Sequence, residues 1–433
     1  MKIRRAYLLL GLAVMGFAGG LSLGRVAPPE GAPRPARLLA ALTPLPEETL
    51  ASAPMSPQAS SVRADPVETY YNAMQKIRSS FYGQAGSDET LTYAAIRGML
   101  ASLGDRYTRF LEPEEYKEMM DRNRGEFGGI GAKLQRMQNK VVIMEVLKDT
   151  PAMRAGLKKG DQIIAVDGEN AVGLSITKVV EKIHGQRGST VKLTVERKDA
   201  EKPLVFSIVR DNIEIQVVEA EMVKDHPGIA HIQLHEFNQM SDEKLDQALT
   251  DMEKKGMKAL ILDLRYNPGG LLTEAVSIGS RFIPGGPVVI IQGGGQDRKM
   301  MVDPSKQNHK RVPLVVLVNK LSASASEIVS GAIKDTKSGI ILGTSTWGKG
   351  LVQTITPIQG GSAVLITTHR YLTPAGIDIN KKGIMPDIKV EPKAEEIEAG
   401  KDPELQEAVA VLEGKQSPEA HKIAEAAKSA TVQ

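Results

Sequence analysis

Residues 313–336 read PLVVLVNKLSASASEIVSGAIKDT, and this stretch decides how the chain folds. The run LVVLV (314–318) contains only leucine and valine, which is typical of a strand buried on both faces of a parallel sheet. Small residues follow Asn319, and a helical pattern begins near Ser324. A buried strand that passes through a tight turn into a helix predicts an α/β fold.

Ser324 is therefore expected at the N-terminus of a helix. Backbone N–H groups are unsatisfied there, and the positive end of the helix dipole lies close by. Such N–H groups can stabilise the oxyanion of a tetrahedral intermediate, which makes Ser324 a candidate nucleophile. The same residues also spell the S-x-x-E pattern of a capping box, with Glu327 at its end. Both interpretations stay open on this stretch alone.

Strands and helices alternate on both sides of this stretch, which predicts a largely parallel α/β layer over residues 212–392. The predicted strands are 228–234, 259–265, 287–291, 313–319, 339–343 and 362–368. The predicted helices between them are 241–256, 271–283 and 325–336.

Residues 127–211 differ from this layer, because short β runs separated by glycine predict a compact insert with its own core. Its predicted strands are 141–146, 162–168, 191–197 and 204–210. A helix is predicted over 175–185, closed by Gly185. Helical segments are predicted before the insert (67–126, with helices from Val67, from Asp88 and after Pro113) and in the tail (393–433).

The N-terminus has the pattern of an export signal. Lys2, Arg4 and Arg5 precede an apolar run of 18 residues (6–23), close to the roughly 20 residues that span a bilayer. A Pro- and Ala-rich linker (27–66) follows. We therefore expect residues 1–26 to be a signal peptide or membrane anchor, and the folded chain to lie in the cell envelope outside the cytoplasm. A buried core helix over 6–23 is the alternative.

The overall composition excludes several classes of protein. The chain has 433 residues, of which 41% are hydrophobic and 25% charged, as in ordinary globular proteins. A net charge of only +3 and an aromatic content of 4% argue against nucleic acid as a partner. The chain has no cysteine, so disulfides, thiolate catalysis and cysteine-ligated zinc are excluded.

A second candidate segment is GTSTWGKGLVQTI (343–355), in which Lys349 lies between two glycines. A lysine acts as a general base only when neutral, so its pKa must fall well below the ordinary value of about 10.4. A solvated loop lysine is the alternative. Residues 343–349 also nearly match a P-loop, but Gly350 stands where magnesium needs Ser or Thr, and a predicted strand follows where a P-loop needs a helix.

The third segment, LDLRYNPGGLLTEA (262–275), joins a predicted strand to a predicted helix. It forms a turn, and Gly269 or Gly270 can in addition lend an N–H group to an oxyanion. His231 and His235 in one strand would lie about 13 Å apart, so they cannot share a metal. A Ser-His-Asp triad stays open, because spacing alone does not decide it. No metal and no cofactor is predicted.

These three segments, together with MLASLGDRYTRFLEPEEY upstream and YLTPAGIDINKKGIMPDIKV downstream, resemble the C-terminal (tail-specific) processing proteases, a family of Ser–Lys peptidases. The resemblance covers residues 65–392. It implies that Ser324 is the nucleophile and Lys349 the base, with Gln353 orienting the lysine. It also implies an oxyanion hole formed by the N–H groups of Ala325 and Gly270, with Gly270 preferred over Gly269.

The resemblance further implies a crotonase/ClpP-like α/β protease core with an inserted PDZ-like domain and an N-terminal helical segment. FGGIGA (127–132) would be the carboxylate-binding loop of the insert, with N–H groups offered by Gly129, Ile130 and Gly131. The expected partners are polypeptide substrates with free C-termini, bound by strand addition.

Two stretches depart from the usual family pattern, GTST with Trp347 and LGDRYT (103–108), and both concern the cover over the site rather than the reacting atoms. Two other functions remain as alternatives, a catalytically silent PDZ-type peptide-binding scaffold and a carrier of apolar small molecules. The sequence leaves open a homo-oligomer and a regulatory partner.

Overall fold

The computed structural model describes residues 65–295 and 297–415. The chain divides into two units, residues 1–95 and 96–433. The predicted export signal (1–26), nearly all of the linker and the last part of the tail lie outside the described residues. Within the described ranges, no helix has the length and apolarity that crossing a membrane requires.

The helices predicted after Val67, Asp88 and Pro113 are confirmed. The elements in this part of the chain are α1 (Pro66–Ser80), α2 (Asp88–Ala101), β1 (Arg109–Leu111) and α3 (Pro113–Arg124). The Asp65 side chain caps α1 by accepting a hydrogen bond from the N–H of Val67 at 2.8 Å. The proline at the first position of α1 and of α3 suits a helix start, where its missing N–H costs nothing.

The insert forms its own sheet and its own core, and all four strands predicted for it are present. Its elements are β2 (Glu126–Gly129), β3 (Ala132–Met137), β4 (Lys140–Val146), α4 (Pro151–Ala155), β5 (Gln162–Val166), β6 (Glu169–Asn170), α5 (Ile176–Ile183), β7 (Thr190–Glu196), β8 (Leu204–Val209) and β9 (Asp211–Glu214). The sheet has the order β3-β4-β5-β7-β8, with β6 paired to β5. The antiparallel pair β2–β9 joins the two ends of the insert.

The end of α5 differs from the prediction, because Gly185 does not cap it. The cap residue is His184 in an extended conformation, with φ −66°. Arg210 satisfies the end of the helix instead, by donating to the carbonyls of Ile183 at 2.7 Å and Lys182 at 3.0 Å. A Cβ at Gly185 would lie 2.8 Å from the Arg210 guanidinium carbon, so glycine is needed there for close packing rather than for a left-handed turn.

The rest of the described chain is the α/β core, whose elements follow in chain order. They are β10 (Val218–Met222), β11 (Ile229–Leu234), α6 (Ser241–Lys254), β12 (Ala259–Asp263), α7 (Leu272–Phe282), β13 (Pro287–Gln292), β14 (Arg298–Met301), β15 (Leu314–Val318), α8 (Ala325–Asp335), β16 (Ile340–Gly343), β17 (Leu351–Pro357), β18 (Ala363–Leu372), β19 (Ile388–Lys389), α9 (Ala394–Glu398) and α10 (Pro403–Leu412).

The central sheet has the order β10-β11-β12-β15-β16-β19. Every pair in it is parallel except β10–β11, so the predicted, largely parallel layer is confirmed. Strand β15 is buried on both faces. Val316 packs with α6, α7 and α8, whereas Val315 and Leu317 pack with α10 on the other face. Ser324 and Gly270 both follow the carboxyl ends of strands in this sheet.

Two of the predicted strands do not belong to the parallel layer. Strands β13 and β18 lie in a second, antiparallel sheet of order β1-β18-β13-β14, and β17 pairs with β18. Their sequences carry the same apolar run as a parallel strand, so local pattern alone does not separate the two sheets. The second sheet matters for the site, because β17 begins two residues after Lys349.

The described part of the tail, residues 393–415, packs against the core. Ala408 and Val411 of α10 are fully buried against the parallel sheet. Arg265 joins this helix to the end of β12 by ion pairs to Asp402 at 2.8 Å, Glu404 at 2.6 Å and Asp263 at 2.7 Å. His231 also bonds Asp263, at 3.1 Å, which explains this histidine without a metal.

Candidate active site

Ser324 lies at the point where the chain leaves β15 and enters α8. Its backbone has φ +54° and ψ −112°, a conformation that is strained for any residue except glycine. Strain of this kind persists only where the surroundings enforce it, and it is common in nucleophiles placed on sharp strand-to-helix turns. The Ser324 hydroxyl forms no hydrogen bond to the helix N-terminus. It interacts instead with the Tyr371 phenol.

The Glu327 carboxylate is the centre of the hydrogen bonding around this serine. It is fully buried, one turn into α8. One of its oxygens accepts the N–H of Ser324 at 2.8 Å and the N–H of Lys349 at 2.9 Å. The other oxygen accepts the Thr346 hydroxyl at 2.5 Å and the N–H of Gly348 at 2.6 Å. A single carboxylate thus ties the Ser324 turn to the loop that carries Lys349.

This arrangement resolves the two interpretations of the S-x-x-E pattern. The half of the capping box that runs from the glutamate to the serine N–H is present. The N–H of Glu327 donates to the Ser324 carbonyl at 2.8 Å. Glu327 therefore caps the helix through the serine N–H, so the capping interpretation does not compete with a chemical role for the Ser324 hydroxyl.

Lys349 lies in the loop between β16 and β17 and is partly buried. Its Nζ lies 5.4 Å from the centre of the Tyr107 ring. Burial lowers the pKa of Lys349, and the positive charge of Arg109 lowers it further, against an opposing effect of Glu327. Since burial disfavours the charged form, this lysine is closer to the neutral state that a general base needs than a solvated lysine is.

A turn just before β1 places the Tyr107 ring. The Asp105 carboxylate accepts hydrogen bonds from the N–H of Tyr107 at 3.0 Å and from the N–H and hydroxyl of Thr108 at 3.1 and 2.7 Å. This carboxylate-to-backbone pattern stabilises the turn. Thr108 in turn accepts the N–H of Thr367 on β18 at 3.0 Å, which fixes the turn to the second sheet.

The NPGG turn after β12 packs directly against Ser324. The N–H of Ala323 and the hydroxyl of Ser326 both donate to the carbonyl of Asn267, each at 3.0 Å. Gly269 has φ +97°, and a Cβ there would lie 2.8 Å from both the Cβ of Ser324 and the amide nitrogen of Ala325. Only glycine permits this approach of the two turns.

The N–H groups beside Ser324 differ in whether they are already used. Gly269 donates its N–H to the Asn267 side chain at 2.9 Å. Neither Ala325 nor Gly270 donates its N–H to any acceptor in the described part of the chain. The two N–H groups predicted for an oxyanion hole are therefore without an acceptor in the described residues, whereas the N–H of Gly269 is used.

Comparison with known proteins identifies the family. Residues 228–390 match the sequence model of Peptidase family S41, and residues 142–197 match that of a PDZ domain. The chain is 37% identical over 322 residues to the carboxy-terminal-processing protease of Bartonella bacilliformis, which covers 73% of each chain. It is 36% identical over 319 residues to the carboxy-terminal processing protease CtpA of Bacillus subtilis, covering 74% of this chain and 68% of the relative. The chain belongs to peptidase family S41.

Among solved structures, the photosystem II D1 C-terminal processing protease matches at 30% identity and a TM-score of 0.46, covering 82% of this chain and 92% of that one. The S41 chain is a serine-type peptidase with a PDZ domain, as its motifs predicted. The predicted fold class, an α/β core with an inserted PDZ domain, is confirmed.

The FGGIGA segment of this S41 peptidase lies where β2 ends. Gly129 is the last residue of β2 and pairs with Asp211 of β9, whereas Ile130 and Gly131 lie between β2 and β3. The N–H groups of Ile130 and Gly131 donate to no acceptor within residues 65–295 and 297–415. Of the three predicted carboxylate-binding residues, these two therefore have free donors.

Gln353 lies on β17, as predicted, but its side chain does not reach Lys349 in this structure. Its amide donates to the carbonyl of Leu351 at 3.4 Å. No hydrogen bond joins the Gln353 and Lys349 side chains in the described structure. Catalytic hydrogen bonds are often long or unformed in ligand-free enzymes, so the predicted orienting role remains a prediction.

Sequence reasoning missed three residues that the structure places around Ser324 and Lys349, namely Glu327 as an acceptor for both loops, Tyr107 and Tyr371. The signal for Glu327 was present, because an acid at the third position of an apolar helix full of small residues has to be paired when buried. Tyr107 and Tyr371 lie in two stretches that carry the family resemblance, but both are distant in sequence from Ser324, and no pattern indicated that their side chains reach it.

Proposed function

We propose that this S41 peptidase cleaves polypeptides with a Ser–Lys pair, in which Ser324 is the nucleophile and Lys349 the general base. The observation that carries the proposal is the single Glu327 oxygen that accepts the N–H groups of both residues, at 2.8 and 2.9 Å. A partly buried lysine with a lowered pKa, in a loop that shares one carboxylate with the turn of a serine that does not cap its helix, has the properties that nucleophilic catalysis needs.

In this mechanism the neutral Lys349 takes the proton of the Ser324 hydroxyl while the oxygen attacks the carbonyl carbon of the scissile peptide bond. The N–H groups of Ala325 and Gly270 stabilise the oxyanion that forms. The C–N bond then breaks, and Lys349 returns the proton to the leaving amine. A water molecule hydrolyses the acyl-enzyme with Lys349 again as base. Gln353 orients the lysine once its amide leaves the Leu351 carbonyl.

Incubation of the wild-type protein with an unfolded, fluorescently labelled protein tests the proposed activity. We expect the wild-type protein to convert the substrate into peptides. Fragments that form with the wild-type protein but not with the Ser324→Ala variant support the mechanism. Stable binding of the substrate without fragments would instead identify the protein as a peptide-binding scaffold.

Recognition of substrate C-termini is the second part of the proposal. The free N–H groups of Ile130 and Gly131 suit a terminal carboxylate. Strand β3 follows them directly and is the edge strand of the insert sheet, so its outer edge can pair with an added peptide strand. Helix α5 contacts β3 and provides the second wall of such a groove.

Amidation of the C-terminal carboxylate of a peptide substrate is expected to weaken its binding by about tenfold to a hundredfold, because charge-assisted hydrogen bonds to the loop are lost. Fluorescence anisotropy with the Ser324→Ala variant measures the affinity without cleavage. Acetylation of the N-terminus of the same peptide serves as the control and should leave the affinity unchanged. Equal affinity of the acid and amide forms would contradict recognition of a C-terminus.

Localisation outside the cytoplasm, with a tether near a membrane, is the third part of the proposal. Its support is the order of the basic N-terminus, the apolar run 6–23 and the Pro-rich linker 27–66. We expect full-length protein in washed membranes of the producing cell, with residues from 67 onward digested by externally added protease. Soluble protein that begins near Gly24 would show a cleaved signal, and full-length protein in the cytosol would contradict export.

A further inference from the structure

Tyr371, on β18, is a buried residue that the mechanism above does not use. Only 2% of it is exposed, although its hydroxyl is polar. That hydroxyl lies 3.1 Å from the backbone carbonyl oxygen of Ser324, and it also contacts the carbonyl oxygen of Lys349. A single phenol oxygen from the second sheet thus meets the backbone of both residues of the proposed pair.

The phenol carries one proton, for which the two carbonyl oxygens are alternative acceptors, and it also interacts with the side chains of Ser324 and Glu327. The Ser324 carbonyl is at the same time the first acceptor of α8, receiving the N–H groups of Glu327 at 2.8 Å and Ile328 at 3.0 Å. The backbone N–H of Tyr371 donates to the carbonyl of Gly350 at 3.0 Å, so the residue is fixed to the lysine loop at both ends.

Glu327 and Tyr371 therefore bind the same two residues through different backbone groups. The carboxylate binds the N–H groups of Ser324 and Lys349, and the phenol binds their carbonyls. Ser324 follows a strand of the parallel sheet, whereas Lys349 precedes a strand of the second sheet. The orientation of Ser324 relative to Lys349 therefore depends on such cross-links. A misplacement of about 1 Å between reacting groups can cost a hundredfold in rate.

We propose that Tyr371 is a positioning residue that uses its phenol to align the Ser324 turn with the Lys349 loop. This inference rests on the proposed function of that pair. Burial raises the pKa of the Tyr371 phenol well above its ordinary value, and Glu327 raises it further. The phenol therefore stays protonated, and remains a donor, over the whole pH range in which Lys349 loses its proton.

Replacement of Tyr371 by Phe tests the inference, because only the oxygen is removed. We expect kcat per folded molecule to fall by about tenfold to a hundredfold, with KM nearly unchanged. Lys349 is faced by Tyr107 and Arg109 from the turn around β1 and by Glu327 from α8. When its loop is released, the side chain gains access to water, so the apparent pKa that governs kcat/KM should move up toward the ordinary lysine value.

Tyr82→Phe is the matched control, since it removes the same oxygen from a fully exposed tyrosine, and it should leave kcat, KM and the pH profile unchanged. A Tyr371→Phe protein that has lower thermal stability but wild-type kcat and pH profile per folded molecule would overturn the inference, and so would a variant with no folded fraction. Failure of the proposed function is distinguishable, because the wild-type protein would then form no fragments, or Ser324→Ala would retain activity.

Discussion

Replacement of Ser324 by Ala is expected to lower kcat for peptide cleavage by at least about a thousandfold, and Lys349→Ala should have an effect of similar size. Nucleophile and base act as one unit, so the loss of either removes most of the catalysis, and what remains comes from binding and the oxyanion hole. The measurement is initial-rate cleavage of an unfolded protein, with thermal unfolding of each variant to show that the fold is retained.

Lys320→Ala is the matched control for the lysine. Lys320 lies in the turn before Ser324 but is exposed to solvent, so its loss should change the rate by less than about twofold. Cleavage by Lys349→Ala at the wild-type rate at neutral pH would show that the lysine is not the base. Retained activity of Ser324→Ala would reject the serine as nucleophile.

Replacement of Glu327 by Ala is expected to lower the free energy of unfolding by about 3–5 kcal/mol and to abolish cleavage. The variant leaves the N–H groups of Ser324, Gly348 and Lys349 and the Thr346 hydroxyl without their acceptor in a buried place. Unsatisfied buried donors and a broken charged network account for a loss of this size. Urea denaturation followed by circular dichroism measures it.

Glu243→Ala is a close control, because Glu243 occupies the same third position in α6 that Glu327 occupies in α8 but is exposed. It loses only a favourable interaction with the helix dipole, which is worth less than about 1 kcal/mol. If Glu327→Ala were no more destabilised than Glu243→Ala, the carboxylate would not hold the two loops together.

Sequence alone predicted the features that depend on local pattern. The strand β15, the turn and the helix α8 follow from one uninterrupted stretch of residues, and the insert was recognisable from its short strands and glycines. The second sheet was not predictable, because β13 and β18 have the same apolar composition as parallel strands. Their pairing is decided by contacts far apart in sequence.

Some residues of the candidate site were likewise predictable from short motifs, and others were not. Ser324, Lys349 and the NPGG turn lie in short motifs, so their type and spacing carried the prediction. Glu327 was seen as a cap, but its bonds to Gly348 and Lys349 come from a loop about twenty residues away. Tyr371 reaches the site from a different sheet, and Gly185 was assigned to a helix end when packing against Arg210 requires it.

The central claim, that Lys349 activates Ser324, is tested most directly by the rate at which a fluorophosphonate probe labels the protein, measured against pH with the labelled residue identified by mass spectrometry. We predict labelling of Ser324, at a rate that rises with pH and levels off at an apparent pKa below the ordinary value for lysine, as burial and Arg109 require. Lys349→Ala should lose this pH-dependent labelling. Labelling of another serine, or an unchanged rate in Lys349→Ala, would contradict the claim.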